Sequence, residues 1–377
     1  MAYELPARFA EYNEARQRGF LTVKKVKEDG GRVAGIFCTF TPLEILDAAG
    51  FLSVSLCGMS GETIPAAEAH LPRNLCPLIK SSYGFALTDK CPYTYFSDLI
   101  VGETTCDGKK KMYELLGRLK PVYTLHLPQG LDGCALESWT AELRRFIAFL
   151  EERFGVSVTD KALREAARAR NQERRARMAL METMRAAPPP ASGLSLYRTL
   201  EGSGFLFDQD QRTAGLDRLR EELLAAYAAG ERPVSAASRR ILVTGCPIGG
   251  VGVIEASGGA VVCFENCSGI KAACQMVDEQ AEDILSAIAA RYLEIGCAVL
   301  SPNRRRREHL KRLIEEFHVD GVVEVDLQSC TTYGVETYEI QALLRELGVP
   351  YMALETDYAQ GDCGQLSTRL GAFIERL

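Results

Sequence analysis

The stretch DLIVGETTCDGKKKMYELLGRLKPVYTLHLP, residues 98–128, contains one complete unit of this chain's architecture. DLIVGETTCD is an apolar run with an exit loop, KKKMYELLGRL has helical spacing, and PVYTLHLP is a second apolar run. Short apolar strands alternating with helices mark a mostly parallel sheet covered on both faces. Upstream, the same alternation gives an opening helix over residues 6–28, a buried strand in GRVAGIFCTF, a helix in PLEILDAAG closed by Gly50, and a strand in FLSVSLCG. Residues 58–96 are rich in turns, with Pro65, Pro72, Pro77 and Pro92.

The pattern restarts after a long helical interval. Residues 137–184 read as helix interrupted at Gly155, PPPASG at 188–193 is the clearest break, and 208–232 is again helical. RRILVTGCP, GGAVVCFENC, DGVVEVDLQSC and PYMALETDY then read as strands. GIKAACQMVDEQAEDILSAIAARYLEIG reads as a helix open to a break, and YGVETYEIQALLRELG as another. The expected organisation is an α/β domain over residues 1–136, a helical connector over 137–235, and a second α/β domain over 236–377. Three strands of the second domain end at or just before a cysteine or a carboxylate, the edge where open α/β sheets bind ligands.

Thirteen cysteines stand beside only four histidines. Cys76, Cys106, Cys246, Cys267 and Cys330 lie at strand ends or in Gly/Pro/Asn-rich loops, where a fold can aim thiolates at one place. Soft ligands of this kind favour iron–sulfur, zinc or copper(I) over magnesium or calcium. The odd count, the length and a polar, charged N-terminus argue against a disulfide scaffold. No apolar run approaches the roughly 18 residues of a membrane span, so a soluble, cytoplasmic protein is expected. A net charge of -6 gives no hint of nucleic acid. The basic block Arg304–Arg307 reads as a solvated helix start, with phosphate or an acidic partner surface as the alternative.

GCPIGGVG lacks the spacing of a dinucleotide loop, and no G-x-x-x-x-G-K-[ST] occurs, so any ATP requirement falls to a partner. No C-x-x-C pair is present, which disfavours a zinc knuckle or a bacterial ferredoxin run. Cys263, inside the apolar VVCF strand, reads as packing.

At this point several segments become specific together: GIFCTFTPLEILDAAG, LPRNLCPLIKSSYGF, TDKCPYTYFSDLIVGETTCDGKKKMYELL, ILVTGCPIGG, DGVVEVDLQSCTTYGVET and ETDYAQGDCGQLSTRLGAFIE. They resemble the 2-hydroxyacyl-CoA dehydratase component D / benzoyl-CoA reductase superfamily, and within it the single-subunit branch of double-cubane cluster proteins. The resemblance implies two Rossmann-like domains with parallel sheets and an iron–sulfur cluster in the cleft between them. It implies three cluster ligands, two about thirty residues apart in the first domain and one after a strand in the second. Cys76, Cys106 and Cys330 match.

The double-cubane branch implies an 8Fe–9S core and three further ligands. Cys38, Cys246 and Cys267 are chosen for closing strands on the ligand edge, with Cys297 as nearest rival and Cys57 and Cys91 open. Cys134 and Cys274 are assigned to core or surface, and Cys363 to either role. The resemblance further implies a homodimer and a separate homodimeric ATP-hydrolysing activator with its own 4Fe–4S cluster. The implied activity is an oxygen-sensitive, low-potential iron–sulfur reductase acting on small unsaturated molecules. The alternatives are a 2-hydroxyacyl-CoA dehydratase subunit with one 4Fe–4S cluster, and a cluster-carrying electron-transfer or storage protein that turns nothing over.

Among carboxylates near predicted strand ends (Glu62, Glu103, Glu324, Asp326, Glu355 and Asp357), Glu355 is the first choice for a proton carrier, because ALETDY ends a strand at the edge expected for Cys330. Lys80 and Ser81, just after Cys76, are candidates for hydrogen bonds to cluster sulfide or for holding a turn.

Overall fold

A computed structural model describes residues 7–246, 250–358 and 363–377. The chain opens with α1 (Ala10–Glu28), β1 (Arg32–Ile36), α2 (Leu43–Ala48) and β2 (Phe51–Ser55). The turn-rich segment holds three short helices, α3 (Ile64–Ala67), α4 (Pro77–Leu87) and α5 (Pro92–Phe96). Then come β3 (Leu99–Glu103), α6 (Asp107–Leu116) and β4 (Val122–Leu125). Four helices follow: α7 (Ala135–Phe154), α8 (Asp160–Glu182), α9 (Gly193–Ser203) and α10 (Gln209–Ala228). Gly155 ends α7 in the left-handed region, φ 63°, which a residue without Cβ adopts without strain.

The remainder gives β5 (Arg239–Gly245), α11 (Val251–Ala256), β6 (Gly259–Glu265) and α12 (Ile270–Ala273). It continues with α13 (Ile284–Leu293), α14 (Arg304–Glu316) and β7 (Gly321–Leu327), then α15 (Thr331–Glu346), β8 (Tyr351–Thr356) and α16 (Cys363–Glu375).

Two four-stranded sheets result, ordered β2-β1-β3-β4 and β6-β5-β7-β8, with every neighbouring pair parallel. This is the α/β architecture expected from the alternating pattern. The apolar runs explain most positions: LIVGE of β3 and GVVEVDL of β7 are buried at every residue and lie inside their sheets, while the edge strands β2, β4 and β8 are only partly covered and β6 is an edge strand buried throughout. Contacts group the chain into two compact units. One comprises Arg18–Gln172 and Gln275–Asn303; the other comprises Glu173–Cys274, Arg304–Leu377 and the chain up to Gln17. The helical interval 137–235 is thus shared: α7 and the first half of α8 go to the first unit, α9 and α10 to the second.

In the first unit, Trp139, Phe146 and Leu150 of α7 join Ile45 and Leu46 of α2 and Ile288 and Tyr292 of α13 in one apolar cluster. Each such side chain contributes about 1.5–3 kcal/mol on burial. The stretch read as one breakable helix over 269–296 is divided into α12 and α13. Asn171 fixes the intervening chain by donating to the Val277 carbonyl (2.8 Å) and accepting from its N–H (2.9 Å), and Asp283 caps α13. Helices α9 and α11 were not anticipated; both are short and follow glycine- or proline-rich breaks. No helix among the described residues is long and apolar enough to cross a membrane.

Candidate metal centre

Parallel strands deliver the loops after them to one edge, and in each sheet the chain reverses its direction of travel across the sheet after the second strand. The switch points therefore lie between β1 and β3 and between β5 and β7, the positions where such sheets open a ligand crevice. Cysteines occupy these edges in matching places. In the first unit, Cys38 lies two residues beyond β1, Cys57 two beyond β2 and Cys106 three beyond β3. In the second, Cys246 follows β5 directly, Cys267 lies two residues beyond β6 and Cys330 three beyond β7. Cys106 and Cys330 are the N-cap residues of α6 and α15, and Cys76 that of α4. Helix N-termini favour anionic sulfur. Cys91 and Cys134 also open helices, so the cap position alone does not single out ligands.

At the first edge, the Cys106 sulfur accepts the Lys109 N–H at 3.5 Å. The ammonium of the same lysine donates to the Phe37 carbonyl at 3.4 Å, and the Cys57 thiol donates to that carbonyl at 3.2 Å. Burial acts to lower the Lys109 pKa, but Tyr113, Cys38, Cys57 and Glu103 together hold it well above the ordinary lysine value. Glu103, wholly buried at the end of β3, accepts a hydrogen bond from Thr41. Burial pushes its carboxyl up to about 7, against the opposing effects of Lys109 and Thr41. Glu103 Oε2 and the Tyr113 hydroxyl have no hydrogen-bond partner among the described residues. Gly102 makes room for this arrangement, since a Cβ there would sit 2.3 Å from the Tyr113 ring.

Lys80, which is buried, donates to Glu68 Oε1 (2.9 Å) and to the Arg73 carbonyl (2.7 Å). Ser81 donates to the Ser60 carbonyl at 2.7 Å, and Thr63 to the Ser81 carbonyl at 3.0 Å. Both residues therefore tie the loop over 60–73 to α4, whose cap is Cys76.

At the second edge, the Cys246 thiol lies beside Cys330, and hydrogen bonding between the two together with burial raises it well above its usual range. Gly245 has φ 102° and lies against Val325, where a Cβ would come within 2.4 Å of the Val325 carbonyl oxygen. That close approach lets the chain turn from β5 toward Cys330. Asp326, near both sulfurs, is pushed up to about 7 by burial and by Glu324, against the Thr337 hydroxyl that donates to it at 2.9 Å. Its Oδ1 has no partner among the described residues. Glu355 lies opposite Asp326 in the β7–β8 register and is exposed on the edge strand.

The reading of Arg304–Arg307 as a solvated face is corrected at Arg306, which is 0% exposed. Its guanidinium pairs with Glu324 (2.7 Å), Glu265 (3.4 Å) and Glu336, and donates to Thr244. Helical phase explains this: Arg306 falls on the face of α14 that buries Leu310 and Leu313. Lys271 adds a second cation, 3.1 Å from Glu265.

Cys267 is half-buried after β6, Cys297 lies in the apolar cluster of the first unit, and Cys263 is buried within β6 with its thiol pushed up by burial. Pro247–Gly249 of the GCPIGG loop lie outside the described residues, as does the side chain of Cys363. The structure thus brings Cys246 to Cys330, and Cys38 and Cys57 to Lys109. Among the described residues no three donors already stand together as an ion site. Sequence reasoning missed Lys109 and Arg306, each inside a run of like charge.

A family model described as 2-hydroxyglutaryl-CoA dehydratase, D-component, matches residues 38–377. The chain is 49% identical over 381 aligned residues to the putative dehydratase subunit YjiM of Escherichia coli K12, covering 99% of each. It is 23% identical to the beta subunit of (R)-2-hydroxyglutaryl-CoA dehydratase of Acidaminococcus fermentans, covering 94% of each. It is 21% identical to the (R)-phenyllactyl-CoA dehydratase beta subunit of Clostridium sporogenes, again covering 94% of each.

Proposed function

The chain belongs to the 2-hydroxyglutaryl-CoA dehydratase D-component family, and from that premise we propose that it is an iron–sulfur enzyme of the 2-hydroxyacyl-CoA dehydratase type, reduced by a separate ATP-hydrolysing activator. One observation carries this reading: Cys106 and Cys330 occupy matching places, three residues beyond β3 and β7 and at the caps of α6 and α15. Cys76, Cys106 and Cys330 would be the ligands, a soft, thiol-only set of the type that a 4Fe–4S cluster takes and a hard cation does not. The residues around them fit as well, since Lys109 supplies a cation beside the Cys106 sulfur and Asp326, near Cys330, has an oxygen without a hydrogen-bond partner among the described residues.

When bound, such a cluster supplies a low-potential electron. The chain's own groups do the rest. The helix caps favour thiolate, Lys80 and Ser81 hold the loop that leads to Cys76, Asp326, its carboxyl raised to about 7, can take up and release a proton near Cys330, and exposed Glu355 offers a carboxylate between that strand edge and solvent. The names of the relatives support a 2-hydroxyacyl-CoA thioester as substrate and an unlike subunit as partner. The test is anaerobic: the iron-loaded chain is mixed with activator, reductant and ATP, and then with an unlike subunit and an (R)-2-hydroxyacyl-CoA. ATP-dependent bleaching followed by 2-enoyl-CoA formation is expected. Bleaching without product from any acceptor would leave an electron carrier, and no bleaching would overturn the assignment.

A double-cubane 8Fe–9S core is the alternative, and a specific observation favours it: thiols line both sheet edges in greater number than one cluster needs. Its ligands would be Cys38, Cys76, Cys106, Cys246, Cys267 and Cys330, its substrates small unsaturated molecules, and its assembly a homodimer.

A further inference from the structure

The two thiol edges correspond in strand order and cysteine placement but differ in charge. Three residues beyond Cys106 stands Lys109; three residues beyond Cys330 stands Tyr333. Lys109 touches the first edge at two points, through its N–H to Cys106 and through its ammonium to the carbonyl that Cys57 also uses. An ammonium has three donors, and one hydrogen bond at 3.4 Å among the described residues leaves it suited to further anionic partners on that side. Next to the second edge, by contrast, the cations Arg306 and Lys271 face Glu265, Glu324, Glu336 and Asp326. Carboxylates outnumber cations there among the described residues.

We propose that Lys109 is a positioning residue whose fixed positive charge stabilises the more reduced form of the iron–sulfur cluster that Cys106 would help to hold. This rests on the iron–sulfur reading above. The physical basis is that each electron added to a thiolate-ligated core increases its negative charge, and a nearby cation in a poorly solvated site lowers the free energy of the more negative state. The neighbouring lysines have other roles: Lys110 is exposed and pairs with Asp107, and Lys111 with Glu114.

The test is a mediated redox titration of the iron-loaded full chain, with iron counted on the same samples, for wild type, Lys109→Met and Lys110→Met. Lys109→Met is expected to keep its iron and shift the midpoint to more negative potential, while Lys110→Met leaves it unchanged. Equal midpoints for wild type and Lys109→Met, or equal shifts from both lysines, would overturn the proposal. Where loss of the cation beside Glu103 prevents folding, the comparison is made in a Glu103→Gln background, with the same negative shift expected on adding Lys109→Met. A wild-type chain that takes up no iron would instead overturn the functional reading on which this one rests.

Discussion

Cys246 and Cys330 stand side by side, close enough to share a thiol proton, where β5 and β7 end at the topological switch point of the second sheet. Two adjacent thiols at the position where α/β sheets receive ligands are donors of the type that soft metals take. The sequence places both cysteines at strand ends; only the fold sets one against the other.

Substituting a ligand should separate from substituting a packed thiol. Cys106→Ser and Cys330→Ser are expected to lose iron and turnover together. Cys263→Ser, within an apolar strand, should keep iron and lose about 1–3 kcal/mol of stability for burying a hydroxyl. Iron analysis and denaturant unfolding of the three variants check this, and full iron in Cys330→Ser would contradict the assignment.

Arg306 neutralises carboxylates that are themselves buried. Arg306→Met should strand Glu265 and Glu324 and destabilise the apo chain by about 3–5 kcal/mol. Urea unfolding gives the number; a loss below about 1 kcal/mol would mean that the network is reached by water.

Stability should also depend on pH through Glu103 and Asp326, both raised to about 7 in the folded chain. The native state keeps these protons after the unfolded chain has released them. Their contribution is therefore full below the ordinary carboxyl range and is lost as pH rises toward about 7, at up to about 1.4 kcal/mol per pH unit for each group. Glu103→Gln combined with Asp326→Asn should flatten this fall in the apo chain. An unchanged slope between pH 5 and 7 in denaturant titrations would show that other groups carry it.

Lys80 holds Glu68 and the Arg73 carbonyl, and through them the approach to Cys76. Lys80→Met should leave the helical content intact and speed iron loss to a chelator several-fold. A chelation rate equal to wild type would confine Lys80 to packing.

Much of this arrangement was legible in the chain. Apolar runs such as LIVGE and GVVEVDL fixed the strands because inner strands of a parallel sheet bury both faces. Cysteines just beyond those runs fall at the sheet edges where the loops after parallel strands gather. What was hidden depended on which member of a charged run turns inward. In KKK, Lys110 and Lys111 pair with carboxylates on their own helix, while Lys109 reaches back to Phe37. In RRRR, Arg307 pairs with Glu339 while Arg306 is buried. Local composition does not distinguish these neighbours; helical phase against a particular sheet does. Asp326 and Glu355 differ in the same way: both lie near the strand edge in sequence, yet one is buried and the other faces solvent.

The most direct test of the central claim is the iron and acid-labile sulfide content of the anaerobically prepared chain, with zinc counted alongside. Iron with matching sulfide is expected: about four of each for a single cubane, or about eight iron and nine sulfide for the double cubane. A colourless, zinc-bound or metal-free chain after anaerobic loading would contradict that claim.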